Sequence, residues 1–126
     1  MVKHHGVHFL EKKNKKLIIN VSNKNDILTI LGNPSTKSTF DNDVWIYVER
    51  KVTTGSIFKL GKRKLTTNNV LIVEINDEGL LANKKLYGKE DMNDINFDTS
   101  TTTGVYSKRS FVYDFLSSMR QKINDP

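Results

Sequence analysis

The sequence predicts an α+β fold: a short helix followed by a three-stranded antiparallel meander, with an additional C-terminal helix packed on the sheet. Three observations carry that prediction. An apolar helical turn from Ile27 stops at Leu31-Gly32-Asn33-Pro34, and the apolar period then switches to that of a strand at Trp45-Ile46-Tyr47. Asp77-Glu78-Gly79, between the strands read over Leu65 to Ile75 and Leu80 to Tyr87, has the chemistry of a tight hairpin. Phe111, Phe115, Leu116, Met119 and Ile123 recur at helical spacing near the C-terminus. The 126 residues are read as a single domain, with a flexible basic lead-in over 1–16, a core over 17–87, and a polar loop plus helix over 88–126.

Taken in order, residues 1–8 read as a flexible lead-in, and Phe9 to Ile19 mixes lysines with too few apolar positions to fix a period. The first helix is predicted to begin at Ser22 or Asn23, either of which can cap free backbone amides, with Asp26 favourable in the first turn. Gly32 can close that helix and Pro34 cannot continue it. Val44 to Thr53 is the first strand, with Trp45 and Tyr47 on one face and Val44, Ile46 and Val48 on the other. Gly55 to Lys64 is a basic connection carrying Ile57, Phe58 and Leu60; Leu65 to Ile75 and Leu80 to Tyr87 complete the meander. Gly88 to Thr103 is polar and reads as a long loop, or as a ragged extra strand around Ile95 and Phe97. Ser107 or Ser110 then caps the last helix, whose apolar stripe is expected to cover the second apolar face of the sheet.

An apolar fraction of 37% with 27% charged residues is that of an ordinary globular protein, and no apolar run reaches the length of a membrane span. The absence of cysteine excludes disulfides and thiolate chemistry in these residues. The net charge of +6 is uneven: residues 1–64 carry 13 basic against 5 acidic side chains, whereas residues 65–126 carry 7 against 9. The clusters Lys12-Lys13-Asn14-Lys15-Lys16 and Lys59-Leu60-Gly61-Lys62-Arg63-Lys64 suit phosphate on nucleic acid or lipid headgroups, or serve simply as a solvated face.

Catalytic chemistry finds little support. All three histidines, His4, His5 and His8, fall in the lead-in, where a held geometry is not expected, and no cysteine or carboxylate pair nearby completes a metal site. The chain has no nucleophile elbow, phosphate-cradling Gly-rich loop or helical His-Glu-x-x-His. Asp77 with Glu78 is a turn, and Asp41 with Asp43 stabilises the entry to the first strand. The sequence is therefore read as a non-enzyme with neither cofactor nor metal. Phe40, Trp45 and Tyr47 are most simply core, or in part displayed to a partner as aromatic anchors rimmed by cations; Ile57-Phe58-x-Leu60 among lysines also suits a membrane surface.

Ile27, Leu31, Gly32 and Pro34, followed by Phe40, Trp45 and Tyr47 and by the hairpin from Val73 to Leu80, resemble the SmpA/OmlA (BamE) family of small outer-membrane lipoproteins. The resemblance spans roughly Leu17 to Leu81. One departure is Val21-Ser22, where that family usually has Gly-Met before the helix. The resemblance implies a non-catalytic accessory subunit of the outer-membrane β-barrel assembly machinery, on the periplasmic face and anchored through an upstream lipidated cysteine. It also implies contact with BamD and BamA, affinity for anionic phospholipid such as phosphatidylglycerol, a monomeric subunit, and no nucleic-acid partner. By motif match the binding residues are Phe40, Asn42, Trp45 and Tyr47, with Lys62 and Arg63 as phosphate contacts. The competing readings are a basic α+β nucleic-acid-binding module and a small enzyme-inhibitor domain.

Overall fold

A computed structural model describes residues 2–53, 64–94 and 107–124. The elements run β1 (Val2–Gly6), α1 (Leu10–Asn14), α2 (Lys24–Leu31), β2 (Thr36–Thr39), β3 (Asp43–Thr53), β4 (Lys64–Ile75), β5 (Leu81–Tyr87), α3 (Lys89–Asp94) and α4 (Lys108–Asn124). The fold is α+β, and the predicted meander is β3-β4-β5, antiparallel throughout.

The sheet is larger than predicted, because two further strands share the outer edge of β3. β1 pairs with its second half, Gly6 opposite Glu49 and Val2 opposite Thr53, while β2 pairs with its first half, Thr36 opposite Ile46 and Thr39 opposite Asp43. The flexible lead-in expected over 1–16 is thus replaced by a strand and a helix, and Leu10 of that helix is fully buried. Val2-Lys3-His4-His5-Gly6 has no apolar alternation, so its strand character comes from pairing and from side-chain anchors rather than from burial of one face. Gly6 permits the close approach. Its φ is +84°, and a Cβ there would sit 1.9 Å from the Val48 carbonyl oxygen. The next amide, that of Val7, donates to the same oxygen at 2.9 Å.

The alternation of β3 divides the core as predicted. Trp45 and Tyr47 join Leu71, Val73, Ile75 and Leu81 under α1 and α2, with Leu10, Leu17, Ile27 and Leu31. Val44, Ile46 and Val48 face the other way with Val70 and Ile72, where Met92 of α3 and Leu116 and Met119 of α4 cover them. The central strands are apolar on both faces because helices lie on both, and β4 carries the consequence in its run Val70 to Val73.

Local chemistry explains the boundaries. Asn23 is the N-cap of α2 in a reciprocal capping box: its side chain accepts from the Asp26 amide at 2.8 Å, and the Asp26 carboxylate accepts from the Asn23 amide at 3.0 Å. Gly32, with φ +79°, ends the helix. The Tyr47 hydroxyl donates to its carbonyl at 2.8 Å and so ties the helix stop to the middle of β3. In the hairpin, Asn76 accepts from the Gly79 amide through its carbonyl and from the Glu78 and Leu80 amides through its side chain. At the start of α4, Ser107 accepts from the Ser110 amide at 3.2 Å. The predicted loop after Gly88 begins instead with α3, whose first turn carries Glu90 and Asp91. Ile95, Phe97, Ile57, Phe58 and Leu60 lie outside the described residues.

Candidate functional site

The loop that leaves α2 wraps over one end of β3 and leaves a groove of about 500 Å³ between them, lined by Lys24, Leu28, Pro34, Lys37, Asp43 and Trp45 among others. Its position follows from the chain stop. The helix ends at Gly32, Pro34 diverts the backbone, and the Ser35 amide then donates to the Ile46 carbonyl at 2.8 Å, which starts β2 along the edge of β3. The Trp45 indole forms the floor, packed 6.5 Å from the Tyr47 ring. Lys24 Nζ stands 5.5 Å above the Trp45 ring and 3.6 Å from the Asp43 carboxylate. That arrangement is a cation held over an aromatic face by a partly exposed acid, of the kind that suits a protein contact. Leu28, on the same rim, leaves 36% of its surface in water.

The predicted site residues do not form one patch. Trp45 and Tyr47 lie together on the α2 side; Phe40 packs on the opposite side, half-buried and 5.9 Å from Phe111. Tyr47 is fully buried, and burial pushes its hydroxyl well above its ordinary titration range. Asn42 contributes its backbone, accepting the Phe40 amide at 3.0 Å in the turn before β3. Among the predicted site residues that are described, only Trp45 lines the groove. Lys62 and Arg63 lie outside the described residues.

Sequence reasoning missed two neighbouring features. The first is a buried carboxylate, Glu49, in the middle of β3. One oxygen accepts the Leu10 amide at 3.0 Å; the other accepts the Phe9 amide at 3.0 Å and contacts His4 Nε2 at 2.9 Å. Burial raises the Glu49 carboxyl, but the bonds from His4, Leu10 and Phe9, with the charge of His4, together hold it below its ordinary value of 4.5. His8 stacks on His4 with ring centroids 3.7 Å apart. Two of the histidines expected to be unheld, His4 and His8, are therefore part of the anchor for β1 and α1. Phe9, at the N-cap of α1, is held in the left-handed region with φ +57° and exposes 69% of its surface. The hint in the sequence was a glutamate directly following the apolar run Val44 to Val48.

The second feature is the turn after α1. The Val21 and Ser22 amides both donate to the Ile18 carbonyl, at 3.1 and 2.9 Å, and Asn20 takes φ +67°. This leaves Ile18, Ile19 and Val21 exposed by 56%, 41% and 64%. Exposed Lys12, Lys15 and Lys16 precede them in the chain. The end of α1 is fixed from below by Lys84, whose ammonium donates to the Asn14 and Leu17 carbonyls at 2.6 and 2.7 Å and whose pKa is lowered by burial. Among the described residues no helix is long and apolar enough to cross a membrane.

Compared with known families, residues 7–85 match the model described as the outer membrane protein assembly factor BamE domain. No curated protein gives a significant match.

Proposed function

The chain belongs to the BamE family and has a role in outer membrane protein assembly, and from that premise we propose that it acts as a non-catalytic subunit steadying the association of BamD with BamA. The observation that carries this reading is that the groove over Trp45 lies wholly inside the family-matching span. In this reading BamD docks on the groove rim, where Leu28 offers apolar surface and Lys24 and Lys37 offer charge. Phe40 and Tyr47 act behind that surface. Phe40 braces the turn, with Asn42 closing it through its backbone, and Tyr47 fixes the Gly32 exit.

The same reading assigns an anionic phospholipid contact to the turn with Ile18, Ile19 and Val21. Its aliphatic side chains enter the interfacial region while Lys12, Lys15 and Lys16 meet phosphates, each well-placed charge contributing about 1 kcal/mol. Lys62 and Arg63 are proposed as additional phosphate contacts. Full-length protein then resides on the periplasmic face of the outer membrane, lipid-anchored.

A paired titration at near-physiological salt tests the partner. BamD from the same organism should bind, Leu28→Glu together with Lys37→Glu should weaken that binding at least tenfold, and nucleic acid should bind weakly and in a salt-sensitive way. Tight nucleic-acid binding without BamD binding would overturn the reading. For lipid, vesicles containing phosphatidylglycerol should be preferred to neutral ones. Unchanged partition after replacing Ile19 and Val21 by serine would remove the turn from that role, and unchanged partition after neutralising Lys62 and Arg63 would remove those two.

A further inference from the structure

The start of α4 lies over β4 and β5 without closing against them completely. Between them is a cavity of about 150 Å³, with Val44, Ile72 and Val112 as apolar lining and Tyr87 and Tyr113 at its sides. Three cations rim it. Lys85 Nζ is 5.2 Å from the Tyr87 ring centroid, the Arg109 guanidinium is 5.0 Å from that of Tyr113, and Lys108 Nζ is 2.6 Å from Glu74. Among the described residues Glu74 is the one carboxylate in the lining, and its two oxygens are occupied by Lys108 and by the Asn83 side-chain amide at 3.2 Å. Lys85 and Arg109 are both exposed, and among the described residues neither is ion-paired. The α4 wall of the cleft lies beyond the family-matching span, whereas the strand wall with Val44, Ile72, Glu74 and Lys85 lies within it.

We propose that this cleft docks an acidic segment of a partner protein through a single aromatic side chain. Size selects the anchor. A cavity near 150 Å³ matches one aromatic ring, and it is well below the roughly 300–1,000 Å³ of sites that enclose cofactors. Charge selects what flanks the ring: Lys85 and Arg109 are held at the mouth by the tyrosine faces, with no acid among the described lining residues left to neutralise them, so carboxylates on either side of the anchor find fixed partners. Apolar lining with a cationic rim is the division between core and edge found in protein interfaces.

The test uses the full chain and three twelve-residue peptides: one rich in Asp and Glu with a central Phe, the same peptide with Ala for Phe, and a Lys-rich peptide keeping the Phe. Methyl-detected NMR titration should show the first peptide shifting the Val44, Ile72 and Val112 signals. The other two should bind at least tenfold more weakly. Lys85→Ala with Arg109→Ala, both on exposed side chains, should reduce binding of the first peptide at least tenfold and leave the melt unchanged, and Val112→Phe should fill the cavity and abolish the Phe-over-Ala preference. Equal affinity for the Phe and Ala peptides would overturn the proposal, since it would mean charge attraction alone. So would shifts confined to other parts of the sheet, or an effect of the double variant on anionic vesicles with no discrimination among peptides, which would make the cleft a lipid contact.

Discussion

Replacing Glu49 by Gln tests whether the N-terminal strand and helix are integral to the fold. The carboxylate accepts from two backbone amides and from His4, and the Leu10 amide it satisfies is buried. Glutamine keeps one acceptor oxygen and turns an NH₂ toward the remaining donors, so one backbone donor is left without a partner. An unsatisfied buried donor costs about 1–3 kcal/mol. The charged acceptor of the His4 contact is lost as well, which raises the expected total to about 2–4 kcal/mol. Urea denaturation should show that loss at pH 7, and hydrogen exchange at Lys3 to Val7 should accelerate. The pH dependence has a definite sign. Because the folded carboxyl titrates below its ordinary value of 4.5, the unfolded chain takes up this proton first as pH falls. The contribution of Glu49 is therefore complete above about pH 4.5, and the gap between wild type and variant should close as pH falls through the folded value. A variant within about 0.5 kcal/mol of wild type at pH 7, with unchanged exchange in β1, would refute the reasoning.

Leu116→Ala, at a fully buried position under the sheet, should lower stability by about 2–5 kcal/mol in urea melts, whereas half-buried Phe115→Ala should cost less; the reverse order would mean that α4 packs differently. Tyr47→Phe removes the bond to the Gly32 carbonyl and should cost about 0.5–1.5 kcal/mol, with faster exchange at the C-terminal turn of α2. Gly6→Ala should release β1, because the new Cβ would meet the Val48 carbonyl and the φ of +84° is unfavourable for alanine; preserved exchange protection across β1 would contradict this.

The α2 cap at Asn23, its exit at Gly32, the three meander strands and the turn at Asp77-Glu78-Gly79 were all legible in the sequence, because each is fixed by residues a few positions apart. Local chemistry also placed Trp45 and Tyr47 opposite Val44 and Ile46, and the spacing of Phe111, Phe115, Leu116 and Met119 placed α4 on the second face. The motif residues named the family for the same reason. What the sequence could not supply is anything decided at long range. β1 has no pattern of its own and exists because a glutamate 39 to 45 residues away holds His4, Phe9 and Leu10, while Gly6 lets two backbones approach. The predicted binding residues were split for a related reason. Phe40, in the turn between β2 and β3, packs on Phe111 of the α4 layer, whereas Trp45 and Tyr47 share the α2 face, where Tyr47 is fully buried and Trp45 lines the groove. Composition reports that a chain has enough aromatic and aliphatic side chains to bury, but which of them stay in contact with water is settled only when helices occupy both faces of the sheet; Ile18, Ile19 and Val21 were left outside by that competition.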